Sequence, residues 1–188
     1  MAYATWSVVF GEQPSASKWN ILGTNDAFFY TYTGEGTNAI QQMVYNVDGA
    51  VATGTTTIPQ DDTIPQNTEG TQFMSQAITP KSATNILVIE AELFVGGSAT
   101  GLDIVAALFQ DTTANALTAK QSWVDVNGRV AGGITVKHVM VAGTTSATTF
   151  KVRVGGSSAS TITFNGGAGA RKYGAIPKSS MIITEYKV

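Results

Sequence analysis

The sequence predicts an all-β protein, in which an antiparallel, jelly-roll-like β-sandwich head over residues 72–188 follows an extended N-terminal arm. From Gln72 onward, short alternating apolar and polar segments are separated by turn residues, and none has the period of a helix. The chain has 20 glycines and only 13% charged residues, against about 25% charged residues in ordinary globular proteins. This composition is typical of β-rich chains with many turns and a surface of Thr, Ser, Asn and Gln.

Two further zones precede the head. Residues 1–34 are predicted as the arm, in which Phe10 and Trp19 flank the polar, turn-rich middle of the stretch FGEQPSASKWNILG. Residues 35–71 form a connector and linker, whose first part is predicted either as a short helix over Ala39–Val44 or as a hairpin through Asp48-Gly49. The second part, IPQDDTIPQNTEGT, has two prolines and no core periodicity, which predicts an extended linker.

About eight strands follow in the head. The segment NILVIEAELFV places apolar residues on one face, and TTFKVRV alternates in the same way. The predicted inward residues are Leu87, Ile89, Ala91, Leu93, Val95, Phe150, Val152 and Val154. The segment LDIVAALFQD is apolar on both faces, which suits a strand buried between layers. Asn127-Gly128 predicts a hairpin between the strands that flank it.

Charge and composition exclude several classes of function. The net charge of −2 and pI of about 5.3 argue against nucleic-acid binding, which normally needs a basic face. Without cysteine the chain has no disulfides and no thiol chemistry. The longest apolar run, IVAALF, is far shorter than the roughly 20 residues of a membrane-spanning helix, so we expect no membrane insertion. The N-terminus lacks the pattern of a secretory signal peptide.

We expect no catalytic residues, no metal site and no cofactor. His138 is the single histidine, so a packed or interface position is the preferred interpretation. The glycine-rich GGAGAR lacks the spacing of a phosphate-binding fingerprint and precedes an extended segment. Glu90 and Glu92 lie on the same side of one strand, roughly 7 Å apart, and a solvated face is preferred over a glycosidase-type carboxylate pair.

The opening FGEQPSASKWNILGTNDA resembles a segment frequent in minor structural proteins of tailed bacteriophages and prophages. The second half resembles the C-terminal heads of phage fibre proteins, in GTQFMSQAITPKSATNILVIEAELFV, ALFQDTTANAL, VAGTTSATTFKVRVG and GARKYGAIPKSSMIITEY. These stretches cover most of residues 6–30 and 70–186. The resemblance implies a non-enzymatic virion protein, of the fibre or head-decoration type, with a homotrimeric β-sandwich head. It would be made in the host cytoplasm and carried in the virion.

The resemblance also implies that residues 1–34 are the attachment arm, which docks on another virion protein of the capsid or tail. The docking residues would be its apolar side chains: Trp6, Phe10, Trp19, Ile21 and Leu22. Aromatic residues are favoured at the centre of such interfaces. The alternative is that this arm packs onto its own sandwich.

Trimerisation accounts for the low charge, because the cores of interfaces are depleted in charged residues. The predicted oligomer interface is the strand that is apolar on both faces, with Leu102, Ile104, Val105, Leu108 and Phe109. The second, mixed apolar face of residues 85–95 is expected near the same threefold axis.

Three functions remain open. The first is a fibre or spike head that contacts a host glycan or protein through its loops, among them Arg171, Lys172 and Tyr173. The second is a capsid decoration protein that stabilises the head shell, which the absence of a long shaft repeat favours. The third is a lectin-like carbohydrate-binding module, for which Tyr173 and Trp123 are the candidate aromatics, with Trp123 expected in the core.

Overall fold

The computed structural model describes residues 39–125 and 130–188. Two antiparallel sheets pack face to face, which confirms the predicted all-β sandwich. The strands are β1 (Ile40–Asp48), β2 (Ala52–Gly54), β3 (Thr71–Ile78), β4 (Ile86–Gly97), β5 (Leu102–Gln110), β6 (Thr118–Val124), β7 (Val130–Val141), β8 (Thr148–Gly156), β9 (Ile162–Phe164), β10 (Gly166–Gly167), β11 (Ala170–Arg171) and β12 (Ser179–Tyr186). A short 3₁₀ turn, Tyr173–Ala175, lies between β11 and β12.

The larger sheet is built around β4, which pairs with β12 on one side and with β7 along most of its length. β1 pairs with β12 and forms one edge. Where β12 ends, β9 takes its place beside the last residues of β4, and β2 pairs with β9. The smaller sheet has the order β3-β8-β5-β6.

The alternation in the sequence places the core between the sheets. The predicted inward side chains of β4 and β8 are fully buried, and they meet Leu102, Ile104, Ala106 and Leu108 of β5. Met181 and Ile183 of β12 complete the same layer. Successive residues of a strand point to opposite faces, so apolar residues at every second position all fall on one face and form the core layer.

The connector differs from its prediction, because residues 40–48 form a strand of the sandwich. They are neither a helix nor one arm of a hairpin, since β1 pairs with β12 and β2 pairs with β9. Two amides on the inner side of β1 close the sandwich edge towards β3. Asn46 Nδ2 donates to the carbonyl oxygen of Ser75 at 3.1 Å, and Gln42 Nε2 donates to that of Thr79 at 2.8 Å.

The predicted extended linker is also part of the sandwich. Residues 55–70, here called the crossing segment, run over the outer side of the smaller sheet. Ile58 is fully buried there, and its N–H donates to the carbonyl oxygen of Gly156 at 3.0 Å. Arg153 Nε and Nη2 donate to the carbonyl oxygens of Glu69 and Gly70 at 2.7 and 2.8 Å. One buried apolar residue, together with hydrogen bonds from both backbone and side-chain donors, holds this segment, which explains why it has no core periodicity.

The predicted hairpin at Asn127-Gly128 is wrong for the strands that flank it. β6 pairs with β5 in the smaller sheet, whereas β7 pairs with β4 in the larger sheet. The chain therefore passes from one sheet to the other here. Residues 126–129 themselves lie outside the described part of the chain.

Candidate interaction surface

The five residues predicted as the oligomer interface lie in the interior of one chain. Leu102, Ile104 and Leu108 face the larger sheet, while Val105 and Phe109 lie beneath Ile58 of the crossing segment. Each of the five is buried, with at most 7% of its surface exposed. Side chains covered by their own chain have no surface left for a second copy, so the predicted interface on β5 is wrong. The crossing segment supplies the cover that the sequence prediction assigned to a neighbouring subunit.

The other predicted site residues have different outcomes. The docking residues Trp6, Phe10, Trp19, Ile21 and Leu22 all lie outside the described residues, so their role stays a prediction. Of the predicted receptor loop, Tyr173 is 74% exposed and Arg171 is also exposed, whereas Lys172 is half-buried. The structure thus brings these three side chains to one surface loop, and their role in binding a receptor stays a prediction.

This loop, residues 165–178, is fixed at its base by a hydrogen-bond network. Asn165 Nδ2 donates to the carbonyl oxygens of Asp48 and Ala50 at 2.8 and 3.0 Å, and Asn165 Oδ1 accepts from the Ser179 hydroxyl at 2.7 Å. The Ser179 hydroxyl oxygen in turn accepts the N–H of Phe94 at 3.0 Å. The network ties β1, β4, β9 and β12 together where the loop leaves the sheet.

An apolar surface lies on the outer side of the larger sheet. We call it the outer apolar face; its members are Met43, Tyr45, Val47, Ile86, Val88, Val139, Val141 and Ile182. Tyr45 is 65% exposed and Val139 is 55% exposed, and Ile86 and Val88 between them are half-buried. Isolated exposed apolar residues are normal, whereas large contiguous apolar patches are commonly sites of interaction.

Strand register makes this face continuous. Met43 pairs with Thr184, which pairs with Val88, and Val88 pairs with Val139. In an antiparallel sheet, directly paired residues point to the same side and lie about 4.5–5.5 Å apart at Cβ. These four residues therefore form one row across four strands, in which threonine is the only polar side chain.

The neighbouring row is partly charged. It runs from Tyr45 through Ile182 to Glu90 and Lys137. Lys137 Nζ and Glu90 Oε2 are 3.1 Å apart and both side chains are about half exposed, so the ion pair contributes roughly 0–1 kcal/mol to stability. Glu90 thus has a cationic partner on this face, in keeping with its predicted position on a solvated surface.

Behind this face, Glu185 of β12 holds the sheet edge to the loop before β4. Its buried carboxylate accepts from Asn85 Nδ2 at 2.6 Å, from the N–H groups of Lys81 and Ser82 at 2.8 and 3.3 Å, and from Gln42 Nε2. Burial by itself raises the pKa of Glu185, but these hydrogen bonds outweigh it and hold the pKa below its usual value. The donors come from β1 and from the loop before β4, and all of them are neutral groups. The network therefore connects these elements to β12, which is a structural role.

The single histidine lies at a strand of the larger sheet. His138 lies on the inner side of β7 in line with Val136 and Met140, and it is half-buried. Within residues 39–125 and 130–188, no group of three or more His, Asp or Glu side chains is placed to hold a metal ion. No helix in that part of the chain is long and apolar enough to cross a membrane.

The sequence contained a signal for the outer apolar face. The sequence predicts a mixed apolar second face for β4, but its pattern does not predict β1 as a strand. Once residues 40–48 are extended, Met43, Tyr45 and Val47 fall on one side of the sheet edge. The prediction for Trp123 is wrong: the sequence predicts this side chain in the core, and the structure leaves it 58% exposed.

Comparison with known proteins identifies no family. No family model matches the chain, and no curated protein sequence matches it. Among solved structures, the VP2 subviral particle of infectious bursal disease virus is similar, with 13% identity over 79% of this chain and a TM-score of 0.37. This chain spans 40% of the length of that capsid protein.

Carbohydrate-binding modules are similar to the same degree. The module CBM4 is 17% identical, with 74% of this chain and 81% of the module covered and a TM-score of 0.34. TmCBM61, solved in complex with β-1,4-galactotriose, is 13% identical over 84% of this chain and 94% of its own, with a TM-score of 0.28. The neighbours are thus viral capsid proteins and carbohydrate-binding modules, at a level of similarity that assigns no function to this chain.

Proposed function

We propose that this protein is a non-enzymatic structural protein of a phage particle, whose copies assemble as homotrimers through the outer apolar face. The observation that carries the proposal is the row of Met43, Thr184, Val88 and Val139 across β1, β12, β4 and β7, in which three of the four side chains are apolar. The resemblance of the opening and of the second half to phage minor structural proteins supplies the setting in the virion and the number of copies.

A second copy of the chain is the occupant that the face fits best. The face lies on four neighbouring strands and has the ion pair of Lys137 and Glu90 beside its apolar row, and the whole chain has about half the usual share of charged residues. Its edge strand β1 leaves one side without a strand partner among the described residues, and such an edge is protected when copies pack around it. The proposed interface is thus on the larger sheet, whereas the sequence predicts it on β5 of the smaller sheet.

In this proposal the N-terminal residues 1–34 attach the trimer to another virion protein of the capsid or tail. The protein is made in the host cytoplasm and carried in the virion. A fibre or spike head and a capsid decoration protein differ in where they sit on the particle. A fibre head would present the loop with Arg171 and Tyr173 to a host surface, whereas a decoration protein would cover the shell.

Accessibility of a single cysteine tests the assembly surface. The chain has no cysteine, so Val139→Cys and Ile64→Cys each introduce one thiol at positions with 55% and 54% exposure. In the full-length chain we expect maleimide to label Ile64→Cys fast and Val139→Cys at least tenfold more slowly. Equal labelling rates would contradict the covered outer face.

Location on the particle tests the setting in the virion. Purified phage particles from the source strain should contain peptides of this chain, detected by mass spectrometry. Gold-labelled antibody on the tail tip would favour the fibre head, and label over the shell would favour the decoration protein. Absence of the chain from purified particles would contradict the proposed function while leaving the oligomer interface open to its own test.

A further inference from the structure

An exposed tryptophan lies beside a buried carboxylate on the outer side of the smaller sheet. Trp123 of β6 is 58% exposed, and its ring atoms Cη2 and Cζ2 lie 3.7 and 3.8 Å from the place where a Cβ at Gly101 would stand. These are ordinary van der Waals distances, so the indole ring lies close over the loop between β4 and β5. The ring is thereby supported while most of it faces solvent.

Asp103 is the direct cross-strand partner of Trp123. The two side chains therefore point to the same side of the sheet, about 4.5–5.5 Å apart at Cβ. Asp103 is only 8% exposed, yet its carboxylate has one hydrogen bond in the described part of the chain, from Gln121 Nε2 to Oδ1 at 3.3 Å. No ion pair to Asp103 is present in that part of the chain.

A buried carboxylate normally has several donors or a cation, because removing it from water is costly. Glu185 in the same protein shows the usual case, with donors on both of its oxygens. Asp103 has one long hydrogen bond and a second oxygen, Oδ2, that accepts none from the described residues. Such a carboxylate is suited to accept hydrogen bonds from a ligand.

Two amides extend the polar side of this cluster. Gln121 lies two residues before Trp123 on the same side of β6, and its Oε1 accepts from Gln60 Nε2 at 3.3 Å. Both glutamines are exposed. The cluster, which we call the Trp123 patch, consists of Trp123, Asp103, Gln121 and Gln60, and so combines an aromatic surface with a carboxylate and two amides.

We propose that the Trp123 patch binds a neutral saccharide. One side of a pyranose ring is made of C–H groups and packs on an indole, while its hydroxyls donate to carboxylates and exchange hydrogen bonds with amides. Asp103 Oδ2 would accept from a sugar hydroxyl, and Gln121 would donate to or accept from its neighbour. This site is separate from the outer apolar face, and it does not rest on the proposed particle function.

Other ligand classes fit these groups less well. A nucleic acid would bring phosphates towards Asp103 in a chain whose net charge is already −2. A calcium ion needs six to eight oxygen ligands, and the patch provides one carboxylate. A quaternary ammonium group is best held by a cage of several aromatic rings, whereas the patch has one ring.

Glycan binding by the full-length chain tests the proposal. The probes are an array of neutral oligosaccharides of glucose, galactose, N-acetylglucosamine and rhamnose, followed by titration calorimetry with the best tetrasaccharide. We expect Trp123→Ala to abolish binding and Asp103→Asn to weaken it at least tenfold. Trp123→Phe keeps an aromatic surface and should retain weaker binding, which separates loss of stacking from loss of the fold.

Ile64→Ala is the control, because Ile64 is an exposed apolar residue of the crossing segment and belongs neither to the Trp123 patch nor to the loop with Tyr173. It should bind the tetrasaccharide as the unchanged chain does, and all variants should keep the same melting temperature within a few degrees. The proposal is overturned if no neutral glycan binds at millimolar concentration, or if binding survives both Trp123→Ala and Asp103→Asn. Binding of choline without binding of any sugar would overturn it as well.

Discussion

Replacing Val139 by aspartate provides the sharpest test of the outer apolar face. Val139 belongs to the row across the larger sheet that also contains Met43 and Val88, and it is 55% exposed in the single chain. A charged side chain at this position can remain solvated when the chain is alone. It becomes buried and unpaired only if another copy covers the face.

The size of the effect follows from the exposure. Fully burying a valine side chain contributes about 1.5 kcal/mol or more, so covering the exposed half of Val139 contributes about 0.8 kcal/mol. Burying an unpaired carboxylate in its place costs at least about 2 kcal/mol more. Each contact between copies should thus weaken by about 3 kcal/mol, or roughly 100-fold in its dissociation constant.

The assay is sedimentation equilibrium of the full-length chain over a hundredfold range of concentration. The unchanged chain and Ile64→Asp should assemble alike, because Ile64 is 54% exposed but lies on the crossing segment. Val139→Asp should be shifted towards single chains while its melting temperature changes by only a few degrees. Unchanged assembly of a folded Val139→Asp chain would refute the assignment of this face as the interface.

Three further predictions concern stability. Gly155→Ala should destabilise the fold by about 1–3 kcal/mol, because its Cβ would lie 2.7 Å from Ile58 N and Thr56 O. Thermal unfolding measures the effect, and the control Gly133→Ala, also at a strand glycine, should change the stability little. An equally small effect of Gly155→Ala would mean that the crossing segment is loosely held. The free energy of unfolding, measured with urea, should fall as the pH drops below about 4.5, the usual pKa of a glutamate. The lowered pKa of Glu185 contributes stability that is present above that pH and lost as its carboxylate is protonated. Glu185→Gln should be less stable by about 1–3 kcal/mol at pH 7 and should lose less on acidification, and the same acid dependence in both chains would exclude Glu185 as its source. Asn165→Ala should lower the melting temperature and speed proteolysis within residues 165–178, and an unchanged cleavage rate would show that the loop does not depend on this network.

The strands with the most regular alternation could be predicted from sequence. β4 and β8 bury apolar side chains at every second position, so their inner faces followed directly from periodicity. β1 could not be identified in this way, because two of its inward residues are Gln42 and Asn46. Amides on an inner face satisfy the backbone of a neighbouring strand, and this leaves no apolar alternation to detect.

To predict the interaction surface, one must know which segment covers each face of a sheet. The periodicity of apolar residues does not contain that information. β5 is apolar on both sides, and its second cover is the crossing segment, with Ile58 as the main apolar anchor. A proline-rich polar stretch gives no sign that it packs on a sheet. At β6, Trp123 and Val124 are adjacent and both apolar, so the sequence leaves open which of them faces inward; the structure buries Val124 and exposes Trp123.

The most direct test of the central claim is the solution mass of the full-length chain, measured by light scattering at several concentrations. The account predicts a single species with three times the 19.6 kDa mass of one chain. A mass of one chain at every concentration would contradict it, because the outer apolar face would then have no second copy to cover it.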